Sequence, residues 1–462
     1  MSERTVIRNA TVITVDERLG DLWRGDVLID GTRIAAVGPQ LEAGDARELD
    51  ATGMIVIPGF VDAHRHVWQA AIRGVAADFS FLQYFFTIHG LMTPVYRPED
   101  VYVGNRLGIA EALNAGVTTT MDWCHVARSP DHTDEAIRAL KESGARAVFA
   151  HAPPFGAGIT KWAVESVLPH PDDIRRVRSE HFSSNSGLVT MAAALRGAEY
   201  STMEVTRHDV GLARELGLFA TYHVGCGTFG PKYKAITRMH AEGLVDPGSN
   251  WVHCNTIADE EFALLADAGA TVTACPGEDT GSGEGPLPIG RALAAGLQPS
   301  FGVDIVTTTG GDMFTQMKAA FAYERARAND AAVMAGRDPE RVDWTTADVL
   351  RSATLEGARA CGLGDVVGSI TPGKAADLVL LRPGINLAPL SHPVGSVVTA
   401  ADLSNVDTVF VDGKVVKEGG RLVGTDLERL LSQAEESQRY LFEAAGWQIG
   451  EPVRPRNEPP PS

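Results

Sequence analysis

Short β-branched runs broken by Asp-Gly and Gly open the chain: 5–15 (TVIRNATVITV), 26–37 (DVLIDGTRIAAV) and 54–57 (MIVI). Apolar stretches of this length between tight-turn residues predict strands joined as hairpins in a small sheet. The same texture returns near the other end. There 375–381 (AADLVLL), 406–411 (VDTVFV) and 414–416 (KVV) read as strand, strand, turn at Asp412-Gly413, strand. Two β-rich ends around a different middle predict one small composite β-sandwich assembled from both termini.

Between residues 59 and 370 the pattern changes to apolar strands alternating with helices. Helices are expected at 99–115, 205–216 and 259–268, and strands at 117–121, 147–150, 219–222 and 271–274. Sustained alternation predicts a parallel sheet, and the length of this stretch favours a closed barrel over an open doubly wound sheet. The expected fold is α/β, a (β/α)8 TIM-type barrel at 59–370. Residues 1–58 supply the N-terminal part of the sandwich, and 371–449 its C-terminal part and a closing helix. The proline-rich tail 450–462 is expected to be disordered.

Composition narrows the function. Hydrophobic residues at 44% and charged residues at 22% fit a globular enzyme and exclude wholesale disorder. With 41 Lys plus Arg against 59 Asp plus Glu the net charge is −18, without a basic block, so nucleic acid and anionic membrane are disfavoured partners. No apolar run reaches the roughly 18 residues of a membrane span or forms a secretory core, which predicts a cytoplasmic protein. Five scattered cysteines without a Cys-x-x-Cys pair predict reduced thiols, not a disulfide frame or a thiolate zinc site.

The candidate chemistry lies where barrel strands should end, the rim that carries reactive groups in such folds. In GFVDAHRHVWQAAIRG (59–74) the first strand runs into Asp62, His64 and His66. Later ends bring His125, His151, His223, His253 and Asp304. Six of the 13 histidines fall at such ends, so chance placement is a poor account. His-x-His on an extended segment puts both rings on one side, near enough for one metal ion. A third histidine and a carboxylate from other strands would complete an N/O site for Zn²⁺ or Fe²⁺ with a position left for water. Trp68, Gln69, His125 and His151 are candidate pocket residues, with aromatics stacking on a flat substrate. Glu199, Glu278 and Asp279 occupy rim positions where they could contact substrate, although each also reads as a solvated loop charge.

The motifs PGFVDAHRH (58–66), GVTTTMD (116–122), TPGKAADLVLL (371–381) and VFVDGKVV (409–416), with His223, His253 and Asp304 between them, resemble the amidohydrolase superfamily. Within it the chain is most similar to the branch of cytosine and guanine deaminases and triazine hydrolases. The resemblance implies that His64, His66, His223 and Asp304 bind one divalent ion, most simply zinc, with iron the alternative. It further implies that His253 lies beside the metal-bound water and that Asp304 takes its proton. Two-metal relatives hold a carboxylated lysine after the fourth strand; Ala193-Ala194-Leu195-Arg196 has none, which points to one metal.

One departure stands out. Deaminases of this branch carry His-x-x-Glu after the fifth strand, where the Glu moves a proton, but here His223-Val224-Gly225-Cys226 has a thiol instead. The expected function is metal-dependent hydrolysis of a C–N bond in a small cyclic nitrogen compound, by deamination or cyclic amide opening. Removal of chloride or an alkylamine from an aromatic heterocycle is one alternative, and a degenerate ligand-binding barrel another. The partner is a small molecule. The aromatic stretch Phe79–Phe86 is expected to serve as a lid or as a contact in a homodimer.

Overall fold

The computed structural model describes residues 4–155, 159–341, 343–450 and 453–458. Eight strands form a parallel sheet in chain order: β1 (Phe60–Arg65), β2 (Val117–Cys124), β3 (Arg146–His151), β4 (Val189–Leu195), β5 (Ala220–Val224), β6 (Asn250–His253), β7 (Thr271–Ala274) and β8 (Ser300–Phe301). They are buried along almost their whole length, as a parallel sheet with covered faces requires. β8 is two residues long, and Asp304, three residues beyond it, closes the ring. Asp304 donates its N–H to the His64 carbonyl at 2.9 Å and accepts from the His66 N–H at 2.8 Å.

Helices cover the outside. α1 (Pro98–Asn114), α2 (Met203–Glu215) and α3 (Asp259–Ala268) match the segments expected at 99–115, 205–216 and 259–268. α2 shows why: Thr202 caps its first turn by accepting from the Val205 N–H, and Val205, Val210, Leu212 and Ala213 form one apolar stripe against the barrel. Residues Met313–Met334 form α4, and Leu427–Ala444 form α5, the expected closing helix.

Both chain ends build one nine-stranded mixed sheet. Ile55–Pro58 is its joint, pairing in parallel with Arg4–Val12 and antiparallel with Leu378–Leu381. Gly59 then leads into β1. A Cβ there would lie 2.1 Å from Thr118 Oγ1, so only glycine fits. Arg146 on β3 ties barrel to sheet, donating to Asp377 at 2.9 and 3.1 Å and to Asp412 at 3.0 Å.

The tail differs from expectation where it is described. Val453 packs on the barrel-side core and the Arg456 N–H donates to Thr87 Oγ1 at 2.9 Å. The remainder of the stretch expected to be disordered, 451–452 and 459–462, lies outside the described residues. All five cysteines are free and buried, and among the described residues no helix is long and apolar enough to cross a membrane.

Candidate functional site

The C-terminal ends of β1, β5, β6 and β8 converge. His64 and His66 project to the same side with ring centroids 4.8 Å apart, as the two-residue period of a strand dictates. His223 at the end of β5 brings its Nε2 to 3.1 Å from Nε2 of His64. Asp304 sets Oδ1 3.2 Å from Nε2 of His64 and 3.2 Å from Nε2 of His66.

Two of these rings are disfavoured from carrying positive charge. The Trp123 carbonyl lies 2.8 Å from Nδ1 of His66, and a carbonyl only accepts, so Nδ1 is the donor there and Nε2 is turned to the cluster. Burial lowers the pKa of His64 to about 4 and, with the neighbouring imidazoles, holds His223 well below the usual range. Nε2 atoms of His64 and His66 therefore face a buried carboxylate oxygen of Asp304 that has no hydrogen-bond partner. Lone pairs of nitrogen and oxygen converging in this way fit a divalent cation of borderline character.

His253 belongs to the cluster in a different way. Ligand atoms of His64, His223, His253 and Asp304 lie within 4.8 Å of one another. However, His253 Nδ1 is 2.8 Å from Asp279 Oδ1 and 3.3 Å from Glu284 Oε2. Burial disfavours its charged form, but the charge of Glu284 and the hydrogen bond and charge of Asp279 override it and hold the pKa well above the usual range. Its Nδ1 is thus engaged by carboxylates on the outer side, whereas His66 turns Nε2 to within 3.2 Å of Asp304 Oδ1.

The backbone here is strained. His253, Cys254 and Asp304 adopt φ of 72°, 56° and 62°, the left-handed region that non-glycine residues occupy at about 1–3 kcal/mol each. Surrounding hydrogen bonds hold the strain, among them Cys254 N–H to the Val224 carbonyl at 2.8 Å.

The cavity above the cluster is lined also by Phe81, Tyr84, Phe85, His89, His125, Phe155, Tyr200, Cys226 and Glu284. Its free volume is about 40 Å³. The aromatic stretch turns inward more than it turns out: Tyr84 and Phe85 are buried, and the segment continues as a π-helix over Phe85–Met92. Such wide turns recur at functional sites.

Other residues singled out from the sequence sit differently. His125 lines the cavity and stacks on His66, ring centroids 3.9 Å apart. Trp68 and Gln69 stand behind the wall, Trp68 donating to His125 Nδ1 at 3.2 Å and Gln69 to the Tyr84 hydroxyl at 2.6 Å. Asp279 likewise stands behind His253, and its Oδ2 accepts the Cys275 N–H at 3.0 Å. Glu278 is buried and takes the Ser282 hydroxyl. Of the seven candidate pocket residues only His125 lines the cavity, and two of the others miss it by heading elsewhere. His151 turns away to His170, 2.9 Å from its Nε2, and Glu199 turns to the backbone, receiving the Gly225 N–H at 3.0 and 2.9 Å. Both sit at the rim, but strand ends fix height and not direction, so neither side chain enters the cavity. Glu284, Tyr84, Phe155 and Tyr200 were not singled out individually. For Glu284 the available signal was an acid set between two glycines in GSGEGP.

Known proteins resemble this chain in sequence and fold. The Amidohydrolase family matches residues 55–416. A 5'-deoxyadenosine deaminase of Methanothermobacter thermautotrophicus is 27% identical over 91% of this chain and 96% of its own. A 5-methylthioadenosine/S-adenosylhomocysteine deaminase of Desulforudis audaxviator is 29% identical over 96% of this chain and 100% of its own. Among solved structures, an adenosine deaminase from Xanthomonas campestris with bound zinc superposes with a TM-score of 0.82 at 25% identity, covering 95% of this chain and 98% of that one. An atrazine chlorohydrolase from Arthrobacter aurescens complexed with zinc and atraton gives 0.80 at 23% identity, over 94% and 100% of the two chains.

Proposed function

The chain belongs to the amidohydrolase family, and on that premise we propose that it hydrolyses a C–N bond of a small aminated nitrogen heterocycle and releases ammonia. The observation that carries the reading is the unpartnered Asp304 Oδ1, 3.2 Å from the Nε2 atoms of both His64 and His66. His64, His66, His223 and Asp304 would hold one divalent ion, zinc in preference to iron. That ion supplies Lewis acidity and brings the pKa of water at the site to about 7. Asp304 is the base that takes a proton from the attacking water. His253, its Nδ1 held by Asp279, presents its remaining N–H to the atom on which negative charge develops.

Deamination is favoured over ring opening or displacement because the relatives matched over nine-tenths of both chains bear deaminase names. The chlorohydrolase shares the fold alone. A barrel that only binds ligand would have no use for an intact convergent cluster. His125, stacked on His66, offers the cavity's flat surface to a ring. We place the enzyme in the cytoplasm because its thiols are free and buried. As a homodimer it would use the outer side of the aromatic segment, where Leu82 is 48% exposed.

The test is metal analysis together with ammonia release from adenosine, 5'-deoxyadenosine, 5'-methylthioadenosine, cytosine and guanine. About one zinc per chain, with turnover lost on chelation and restored by zinc, supports the reading. Full turnover by metal-free protein, or no ammonia from any aminated ring, would refute it.

A further inference from the structure

The cavity is lined by two carboxyl groups, Glu284 and Asp304. Asp304 is committed to the histidine cluster, and the thiol at 226 is no acid. Burial, then the charges of Glu284 and Glu199, push the Cys226 thiol well above its usual pKa. Expelling a nitrogen leaving group nevertheless requires proton delivery to the ring or the amine. Building on the proposed function, we infer that Glu284, supplied by the loop after β7, is the acid that protonates the substrate, standing in the place that the small side chain of Cys226 leaves open.

The placement is built into the backbone. Sγ of Cys226, a ring nitrogen of His253 and a carboxylate oxygen of Glu284 lie within 4.8 Å of one another. Glu284 is 2% exposed, and its Oε2 has no hydrogen-bond partner although it stands 3.3 Å from His253 Nδ1. The chain arrives there by bending twice in glycine-only conformations, Gly283 at φ 80° and Gly285 at φ 134°. At Gly285 a Cβ would come within 2.8 Å of Thr256 Cγ2 and 3.1 Å of Asn255 Cβ. The Glu284 carbonyl then accepts the Gly227 N–H at 2.7 Å, stitching this loop to the one after β5. A carboxyl group is thus delivered beside position 226 from a different strand, and a second large acid at 226 would compete for the same space.

Its surroundings suit proton exchange. Burial raises the Glu284 pKa, the charges of Asp279 and Asp304 add to this, and charged His253 and the Cys226 hydrogen bond oppose them, leaving it at about 7. Glu278 and Glu199 are the other acids near it. The proton balance closes. Water gives one proton to Asp304 as its oxygen bonds to the ring carbon, and Glu284 gives its proton to the adjoining ring nitrogen, which takes the C=N π pair. The amino group then receives the Asp304 proton and leaves as ammonia with the C–N pair. Finally the new C–OH returns a proton to Glu284 and becomes C=O.

The experiment compares wild type, Glu284→Gln and the double variant Cys226→Glu/Glu284→Gln for ammonia release from the aminated rings above, with zinc content and thermal melting measured on each. Expected for Glu284→Gln is a fall in kcat of about 10²–10⁴-fold with zinc content and melting unchanged. Recovery of at least about tenfold in the double variant would show that a carboxyl group at this spot is what matters. Wild-type kcat in Glu284→Gln overturns the inference and leaves the proposed function standing. Two metals per chain, with one lost on substitution, would make Glu284 a ligand and also overturn it. Loss of zinc or of a cooperative melt along with turnover would assign a structural role, with the same consequence. No ammonia from wild type on any ring overturns the proposed function and this inference with it.

Discussion

Asp279 grips the outer edge of His253, Oδ1 to Nδ1 at 2.8 Å, while its second oxygen is pinned by the Cys275 N–H at 3.0 Å. The pinned carboxylate fixes both the orientation of the imidazole and its charge, leaving the opposite N–H directed at the cluster. Asp279→Asn keeps the shape and removes the charge. Turnover should fall by about 10²-fold or more, with metal content unchanged, as read by steady-state kinetics beside elemental analysis.

The same pair sets a pH limit. The raised pKa of His253 means that its proton is retained above the unperturbed value of about 6.5 and lost only as pH climbs through the higher folded value. Any stability from this charge is therefore complete below about 6.5 and declines on the alkaline side. Activity should show a matching alkaline limb, displaced to lower pH in Asp279→Asn. A limb that does not move between the two proteins would exclude His253 as its origin.

Removing Asp304 or His64 should abolish metal binding and turnover together. In Asp304→Ala and His64→Ala zinc should fall to background, and added zinc should no longer raise the melting temperature as a ligand of the native state does. Calorimetry with and without zinc checks this. Retained zinc in either variant would contradict the assigned ligand set.

Gly285→Ala tests the bend that delivers Glu284. Its φ of 134° and the 2.8 Å approach to Thr256 Cγ2 leave no room for a methyl group. The cost should be about 1–3 kcal/mol in urea denaturation, with turnover falling out of proportion to stability. A variant as active as wild type would show that the loop tolerates another path.

Arg146→Met should be severe without touching the site. It leaves Asp377 buried and unpaired, a loss of about 3–5 kcal/mol. Chemical denaturation measures the loss, and kcat per folded molecule should stay near wild type.

Much of the fold was legible because its signals are local. Helical stretches of apolar residues mark α1 to α3, and buried runs between turns mark the strands. The His-x-His pair was legible for the same reason: a strand fixes that both rings share a side. Direction beyond the strand ends was not. His151 and Glu199 have the right height on the rim and the wrong heading, because one or two residues of loop decide whether a side chain enters the cavity or turns behind it. Glu284 was hidden because its placement depends on two glycine torsions and on contacts with segments at 225–227 and 255–256, far off in the chain. The aromatic stretch Phe79–Phe86 pointed to a lid or a subunit contact, and only packing shows Tyr84 and Phe85 turned onto the cavity.

The shortness of β8 reaches beyond architecture. With two residues in the last strand, the seam between first and last depends on Asp304, whose amide and carbonyl pair with His64 and His66 while its carboxylate faces their rings. One residue thus serves as clasp and, in the proposed function, as ligand. Demetallation should therefore loosen the clasp: amide exchange at His66 and Asp304 should quicken in chelated protein while the far side of the ring, around β4, keeps its protection.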